Sequence, residues 1–453
     1  MQYVSTRDQD RIFTSEDVLN LGLAPDGGLF VPKEFPSFTN QEITNLKNKD
    51  FKIIAFSILE KFLLDLFSST EIRDIINEAY ENFDEGIVST TNLKDVTLLN
   101  LFHGPTLAFK DYAMCLLAKI YEFYLKKNNK SLVVIGATSG DTGSAAIHAF
   151  QNLKNIKICI LHPHNGTSEF QRKQMTTTGS DNVFNIALEG TFDDCQSIVK
   201  KAFNDSELTQ DQSFTAVNSI NWFRILPQTI YYAWALSNYG FTNFVVPTGN
   251  FGNIYAAYIL KKMGFPINNL VAATNENNIL HRFISNNDLS IKKVLKTNSP
   301  SMDIVISSNF ERLIHDFIGP EKTKEVFSNI GLKNNSLRID QRDYIQISEF
   351  FKSGMASSLQ VTEEIRKTFQ ISNVVIDPHT AVGVSVARSL NLDNTCALAC
   401  AHPVKFQETV IASIGDTNSV FDKSISFNNS ERYDILGNDY DVFKNYIIKN
   451  AKS

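Results

Sequence analysis

Apolar and polar positions change rhythm along the chain. Up to about residue 95 the spacing is helical: SEDVLNLG, DFKIIAFSILEKFLLDLF and STEIRDIINEAYENF repeat apolar residues three and four apart behind residues suited to cap a helix. From 96 to about 205, short apolar runs alternate with helix-like stretches, as in VTLLNL, LVVIGA, AAIHAFQNL, IKICIL and FNIAL. The alternation continues beyond 206 with NFVVPT, IYAAYILKKMG, LVAATN, NVVIDP and CALACA. Strands alternating with helices predict open parallel sheets covered by helices. The expected architecture is α/β: a helical N-terminal extension (1–95), a smaller α/β domain (96–205) and a larger one (206–453). The Asn/Ser-rich stretch 273–309 is expected to be an irregular insertion.

In HGPTLAFKD, residues 103–111, the pattern predicts an amphipathic helix that opens near Pro105 and Thr106 and continues through Tyr112, Ala113, Leu116, Leu117 and Ile120. Lys110 interrupts it. Its neighbours three, four and seven positions on are Ala113, Met114 and Leu117, so its amine projects over an apolar strip. Such a lysine either snorkels to water or takes part in chemistry. Asp111, one position on, faces elsewhere and is not expected to be its partner.

Composition narrows the function classes. The chain has 453 residues, 43% of them hydrophobic, and a formal net charge of -6. That content supports sizeable cores, and the acidic, diffuse charge with no Lys/Arg run argues against nucleic-acid or membrane-surface partners. No stretch approaches ~20 consecutive apolar residues, and the polar start MQYVSTRDQDRIF carries no secretory pattern. Cys115, Cys159, Cys195, Cys396 and Cys400 are scattered and form no CxxC pair, which suits a reducing, cytoplasmic setting. Cys159, His162 and His164 lack a second ligand cluster, so no metal is expected. A monomer and a small homo-oligomer both remain open.

Two glycine turns carry candidate chemistry. SGDTGS (Ser139 to Ser144) and TGNFGN (Thr248 to Asn253) share one pattern, and each lies between an apolar strand and a helix containing alanine. Glycine permits positive φ and close approach to the backbone, and N–H groups at a helix start attract an anion. Neither turn matches a Walker A loop or the dinucleotide fingerprint. Each could be merely a tight connection. Taken with Lys110, whose amine becomes nucleophilic if its ammonium is disfavoured among apolar groups, they form the parts for pyridoxal-phosphate chemistry on an amino acid.

The motifs GLAPDGGLFVP, LFHGPTLAFKDYA, GATSGDTGSAA, AVNSINWFRILPQ, VPTGNFGNIYAA, PSMDIVISSNFERL and AHPVKF, in this order, closely resemble the threonine synthase family, in the branch typical of many bacteria and fungi. The resemblance implies a fold-type II pyridoxal-phosphate enzyme, similar to the tryptophan synthase β subunit. It implies that Lys110 is the Schiff-base lysine and that Gly249, Asn250, Phe251, Gly252 and Asn253 bind the cofactor phosphate. Ser139, Gly140, Asp141 and Thr142 are then expected to receive the substrate carboxylate, with Asp141 near the ring hydroxyl. Asn218, Ser219, Asn221 and Arg224 are expected at the substrate phosphate. The implied reaction turns O-phospho-L-homoserine and water into L-threonine and phosphate by γ-elimination and β-addition of water, with the freed Lys110 amine as base. One position departs from the family: Cys400 stands where relatives usually carry a Thr that bonds the pyridine nitrogen, and a thiol is the weaker donor. His103 and His402 are expected to be structural. A phospholyase acting on O-phosphohomoserine or O-phosphothreonine, and a non-catalytic amino-acid-binding relative, are the competing readings.

Overall fold

Most of the short apolar runs become strands in a computed structural model that describes residues 1–84, 86–209, 213–330, 338–415, 421, 427 and 429–451; NVVIDP does not, and leads instead into the helix Pro378–Leu390, which Asp377 caps. Three sheets result. The N-terminal one is antiparallel, with β1 (Gln2–Ser5) between β2 (Asp8–Thr14) and β3 (Phe30–Pro32). The six-stranded sheet contains β4 (Ser89–Asn92), β5 (Thr97–Asn100), β10 (Asn243–Pro247), β11 (Asn269–Thr274), β12 (Phe351–Met355) and β13 (Thr395–Ala399), in the order β12-β11-β10-β13-β5-β4. All its pairs are parallel except β4 with β5. The five-stranded parallel sheet contains β6 (Leu132–Ala137), β7 (Ile156–Pro163), β8 (Val183–Glu189), β9 (Ser213–Ala216) and β14 (Asp434–Gly437), in the order β14-β8-β7-β6-β9.

Two expectations change. The extension up to residue 95 is not purely helical: besides the helices Ser15–Leu21, Phe51–Leu63 and Ser69–Ala79, it holds the antiparallel sheet. Those strands left little trace, since β2 reads DQDRIFT with mostly exposed residues and β3 is three residues long. The sheets also cross the expected boundaries. β5 lies within 96–205 but pairs with β13, Thr97 opposite Cys396, while β9 and β14 lie beyond 206 and complete the five-stranded sheet. Backbone pairing between distant segments decides sheet membership, and hydropathy does not encode it.

The helix predicted near Pro105 starts later, at Lys110, and runs to Asn128. Asp111 explains the delay. Its buried carboxylate accepts hydrogen bonds from the Thr106 N–H at 2.9 Å and from the Thr106 hydroxyl, which holds residues 104–109 as a turn with Leu107 at φ 59°. The stretch 273–309 is largely irregular, as expected, but it contains the helix Ile279–Asn286 and a 3₁₀ turn, Pro300–Met302, and its end is built into the site described below.

The largest core joins all three parts. Trp222 packs against Tyr3, Phe35 and Phe62 with ring centroids 5.9, 6.3 and 6.2 Å apart, and Tyr112 of the Lys110 helix meets Phe51, Tyr80 and Tyr231. The N-terminal segment is therefore part of the body of the protein. No helix among the described residues is long and apolar enough to cross a membrane.

Candidate active site

Two segments distant in sequence, 107–109 and 400–402, are hydrogen-bonded to each other. Phe109 N donates to the Cys400 carbonyl at 2.8 Å, His402 N to the Leu107 carbonyl at 3.0 Å, and Ala108 bridges Ala401 in antiparallel sense. HGPTLAFKD is thereby clipped to CAHPVKF, and Lys110 stands at the first turn of its helix. His103 and His402 are taken up locally: His103 Nε2 is 2.7 Å from the Ser89 hydroxyl, and His402 Nδ1 accepts from Val404 N at 3.2 Å.

Asp141, the first residue of the helix Asp141–Phe150, is the hub. One carboxylate oxygen lies 3.4 Å from Lys110 Nζ, and the Ser301 hydroxyl reaches the same oxygen at 3.5 Å. The other lies 3.0 Å from Lys405 Nζ and accepts from Gln171 Nε2 at 2.9 Å. Burial alone would raise this carboxyl's pKa, but the Lys405 and Lys110 ammoniums together with Gln171 override it, and Asp141 is held far below the usual carboxylate range. The Asp111 carboxyl, in contrast, is pushed up by burial, and its bonds go to Thr106 rather than Lys110. In the same turn the Thr138 hydroxyl oxygen accepts from Gly140 N at 3.0 Å and Gly143 N at 2.9 Å. Gly140, at φ 151°, must lack a side chain, since a Cβ there would meet Gln171 at 2.4 Å. Ser139 is exposed and Thr142 half-buried.

The second turn opens the helix Gly252–Lys262. Its positive φ falls on Phe251 (64°) and not on a glycine, which corrects the expected role of the glycines here. A left-handed non-glycine residue costs roughly 1–2 kcal/mol, and burial of its ring against Phe310 and Phe351, at 5.2 and 5.7 Å, offsets that cost. Gly249 is required by crowding: a Cβ would lie 2.8 Å from Ile304 Cδ1 and 3.1 Å from the Ser301 carbonyl. Asn253 Oδ1 accepts from the Tyr231 and Tyr232 hydroxyls at 2.6 and 2.7 Å, whereas its buried Nδ2 has no partner among the described residues.

The loop 301–309 stitches these parts together. Ser308 Oγ donates to Asn250 Oδ1 at 3.1 Å, and Asn309 Nδ2 donates to the Asn250 and Ser219 carbonyls at 3.0 and 2.9 Å. The Ser307 hydroxyl bonds the Gly249 carbonyl. Ser219 Oγ is 3.4 Å from Ser308 Oγ, and Asn218 is exposed. Asn221 is engaged differently: its Oδ1 caps the short helix Trp222–Ile225 by accepting from Phe223 N at 2.9 Å, and its Nδ2 faces the position a Cβ on Gly22 would take. Arg224 is buried, donates from Nη1 to the Val217 carbonyl at 2.7 Å, and has an unpartnered Nε. No carboxylate pairs with it among the described residues, and burial pushes its pKa down to about 10. Cys400 is buried, its Sγ 3.8 Å from the Leu398 carbonyl and its N–H donating to Thr380 Oγ1 at 3.1 Å. Burial pushes the Cys400 thiol up.

Three family models match in chain order: threonine synthase N terminus over residues 2–80, pyridoxal-phosphate dependent enzyme over 87–324, and threonine synthase C-terminal over 380–447. The chain is 42% identical to the threonine synthase of Pseudomonas aeruginosa over 421 residues, covering 90% of each chain. It is 37% identical to that of Saccharomyces cerevisiae over 471 residues, covering 93% of this chain and 91% of the relative. The chain belongs to the threonine synthase family. Among solved structures, a PLP-bound threonine synthase from Brucella melitensis superposes over the whole of both chains with a TM-score of 0.94 at 37% identity. The yeast threonine synthase superposes with a TM-score of 0.92 at 35% identity, covering 100% of this chain and 99% of that one. The fold is accordingly fold-type II, and the protein is a pyridoxal-phosphate-dependent lyase of the threonine synthase family.

Sequence reasoning passed over several residues of this threonine synthase site. Lys405 lay inside AHPVKF without a role, although its side chain has no exposure and its ammonium meets three oxygens. Gln171 carried no distinctive local pattern, and Ser301 and Asn309 lay inside PSMDIVISSNFERL without a role. Only the recurrence of Ser and Asn at the end of PSMDIVISSNF hinted that this loop would be a hydrogen-bonding hub.

Proposed function

We propose that the protein converts O-phospho-L-homoserine and water to L-threonine and inorganic phosphate. One observation carries this reading: Lys110 and both glycine turns, scattered over more than a hundred positions, converge through Asp141 and Ser301, with a buried Arg224 that has no carboxylate partner among the described residues on the segment stitched to the second turn.

The residues fit pyridoxal phosphate. Asn253 Nδ2 is a buried donor without a partner among the described residues, at the start of a helix, where an anion is favoured. Gly249 to Asn253 would hold the cofactor's phosphate, Lys110 Nζ its aldehyde carbon and Cys400 its ring nitrogen. When bound, pyridoxal phosphate supplies an electron sink that stabilises negative charge at the substrate's α and β carbons.

The chain's own groups account for the rest. The Lys110 amine, once free, removes the α proton and returns protons to carbon. The Ser139 to Thr142 turn receives the substrate carboxylate through backbone N–H groups, with Asp141 beside the ring hydroxyl. Asn218, Ser219 and Arg224 receive the phosphate that leaves the γ carbon, and the guanidinium neutralises charge as the bond breaks. Asn221, assigned to this set from sequence, holds the segment in place as the helix cap. A proton then enters at the γ carbon and water's hydroxyl at the β carbon, which balances the reaction. The five cysteines, all free and buried, support a reducing, cytoplasmic compartment.

Incubation with O-phospho-L-homoserine is expected to yield threonine and phosphate in equal amounts. Accumulation of 2-oxobutyrate and ammonia instead would make the protein a phospholyase. Lys110→Ala is expected to abolish both turnover and the lysine-dependent absorbance band of bound cofactor.

A further inference from the structure

Lys405 is an enclosed cation of the site. It sits on the 3₁₀ turn Pro403–Phe406 that follows β13 of the six-stranded sheet, and its side chain is 0% exposed. An ammonium in that position is costly unless each N–H is satisfied. Nζ donates to the Thr106 carbonyl at 2.7 Å and to Gln174 Oε1 at 3.1 Å, and it forms an ion pair with Asp141 at 3.0 Å. Only Asp141 among these is anionic.

Lys110 approaches the same carboxylate differently. Its contact is longer, 3.4 Å, and its side chain is 11% exposed. An amine that bonds covalently to a carbonyl carbon gives up part of its ammonium character, whereas Lys405 is enclosed by two hydrogen-bond acceptors and the Asp141 carboxylate. The two lysines thus meet one carboxylate in different surroundings.

We propose that Lys405 is a positioning residue that keeps Asp141 ionised and oriented toward Lys110 throughout turnover. The inference rests on Lys110 being the cofactor lysine. An ionised Asp141 is an acceptor only, so it takes a hydrogen bond from the ring hydroxyl and orients that ring edge. Without Lys405, burial becomes the dominant influence on Asp141, and the carboxyl takes up a proton once Lys110 is engaged.

The other groups facing Asp141 do not replace Lys405. Gln171 and Ser301 are neutral donors. The His379 ring is held through Nδ1 by Asp377 at 2.8 Å, and its Nε2 accepts from Ser301 N at 3.2 Å. The Cys400 thiol is buried and protonated.

The test uses the cofactor-loaded enzyme and follows its absorbance spectrum against pH, together with cofactor Kd. The wild type and Lys405→Arg are expected to keep one spectrum between about pH 6 and pH 9. Lys405→Met is expected to bind cofactor about tenfold or more weakly and to show a titration in that window. The double variant Lys405→Met/Asp141→Asn, which has no carboxyl to titrate, loses that transition and binds cofactor as weakly as Lys405→Met. A Lys405→Met spectrum and Kd that match the wild type, or a transition that persists in the double variant, overturns the proposal. Should Lys405→Met fail to fold by circular dichroism, Asp141→Asn alone must lose affinity by a similar factor, and an unchanged Kd overturns the proposal. Absence of a band that depends on Lys110 in the wild type would instead refute the cofactor assignment itself.

Discussion

Arg224 is a buried charge without a counter-charge among the described residues, and a protein tolerates that arrangement where an anionic ligand completes it. Arg224→Lys retains the charge but loses the planar fork that engages a phosphate through two parallel hydrogen bonds. Its expected effect is a rise in KM for the phosphorylated substrate of about tenfold to a hundredfold, the equivalent of ~1.5–3 kcal/mol for a charge-assisted hydrogen bond. The cofactor absorbance band is expected to persist. Steady-state kinetics on the spectrally loaded variant checks both, and an unchanged KM would place Arg224 outside the substrate site. At the same scale Phe251 shows how a motif can be misread: the GNFGN pattern suggests glycine for conformational freedom, yet the left-handed residue is the phenylalanine, and Gly249 is there for want of space.

At the scale of elements, the site depends on a loop whose far end is anchored by the N-terminal sheet. The loop 301–309 leads directly into the helix Phe310–Asn329, and that helix is tied to the turn between β1 and β2. Glu311, 5% exposed, receives Arg7 in a two-pronged ion pair at 2.8 Å and 2.8 Å and accepts from the Thr6 hydroxyl at 2.7 Å. Arg7→Ala leaves that carboxylate buried and unpaired, which is expected to cost about 3 kcal/mol of stability. Urea denaturation measures it, and Arg7→Ala/Glu311→Gln is expected to recover part of the loss. If the single variant is as stable as the wild type, the anchor carries no weight.

The same junction gives the whole molecule an expected acid sensitivity. His315, on that helix and hydrogen-bonded through Nε2 to Gln9 at 3.0 Å, has its pKa pushed down to about 4 by burial, with Lys262 adding to the effect. The unfolded chain binds this proton near pH ~6.5 and the folded protein only near pH 4, so the contribution to stability is complete above about pH 6.5 and is lost as pH falls toward 4. The shift corresponds to roughly 3 kcal/mol over that window. Thermal unfolding followed from neutral pH downward is expected to show the decline, and His315→Gln to flatten it. An identical pH slope in the variant would assign the acid sensitivity to other groups.

Much of this protein was written locally in its sequence. Periodicity and capping residues located the helices Phe51–Leu63 and Ser69–Ala79. Apolar runs located the central strands of both parallel sheets, and the ordered motifs carried the family, the cofactor and Lys110. These features depend on residues within a turn or two of one another, the range over which side-chain pattern governs backbone conformation. Tertiary structure alone decided that β5 joins β13, that β9 and β14 complete the other sheet, and that DQDRIFT pairs as a strand, because those pairings are made by backbone groups common to every residue. It also decided what surrounds the reactive amine. Asp141, Lys405, Gln171 and Ser301 come from four separate segments, and the charge of a buried cluster is set by distances that exist only once the chain has folded.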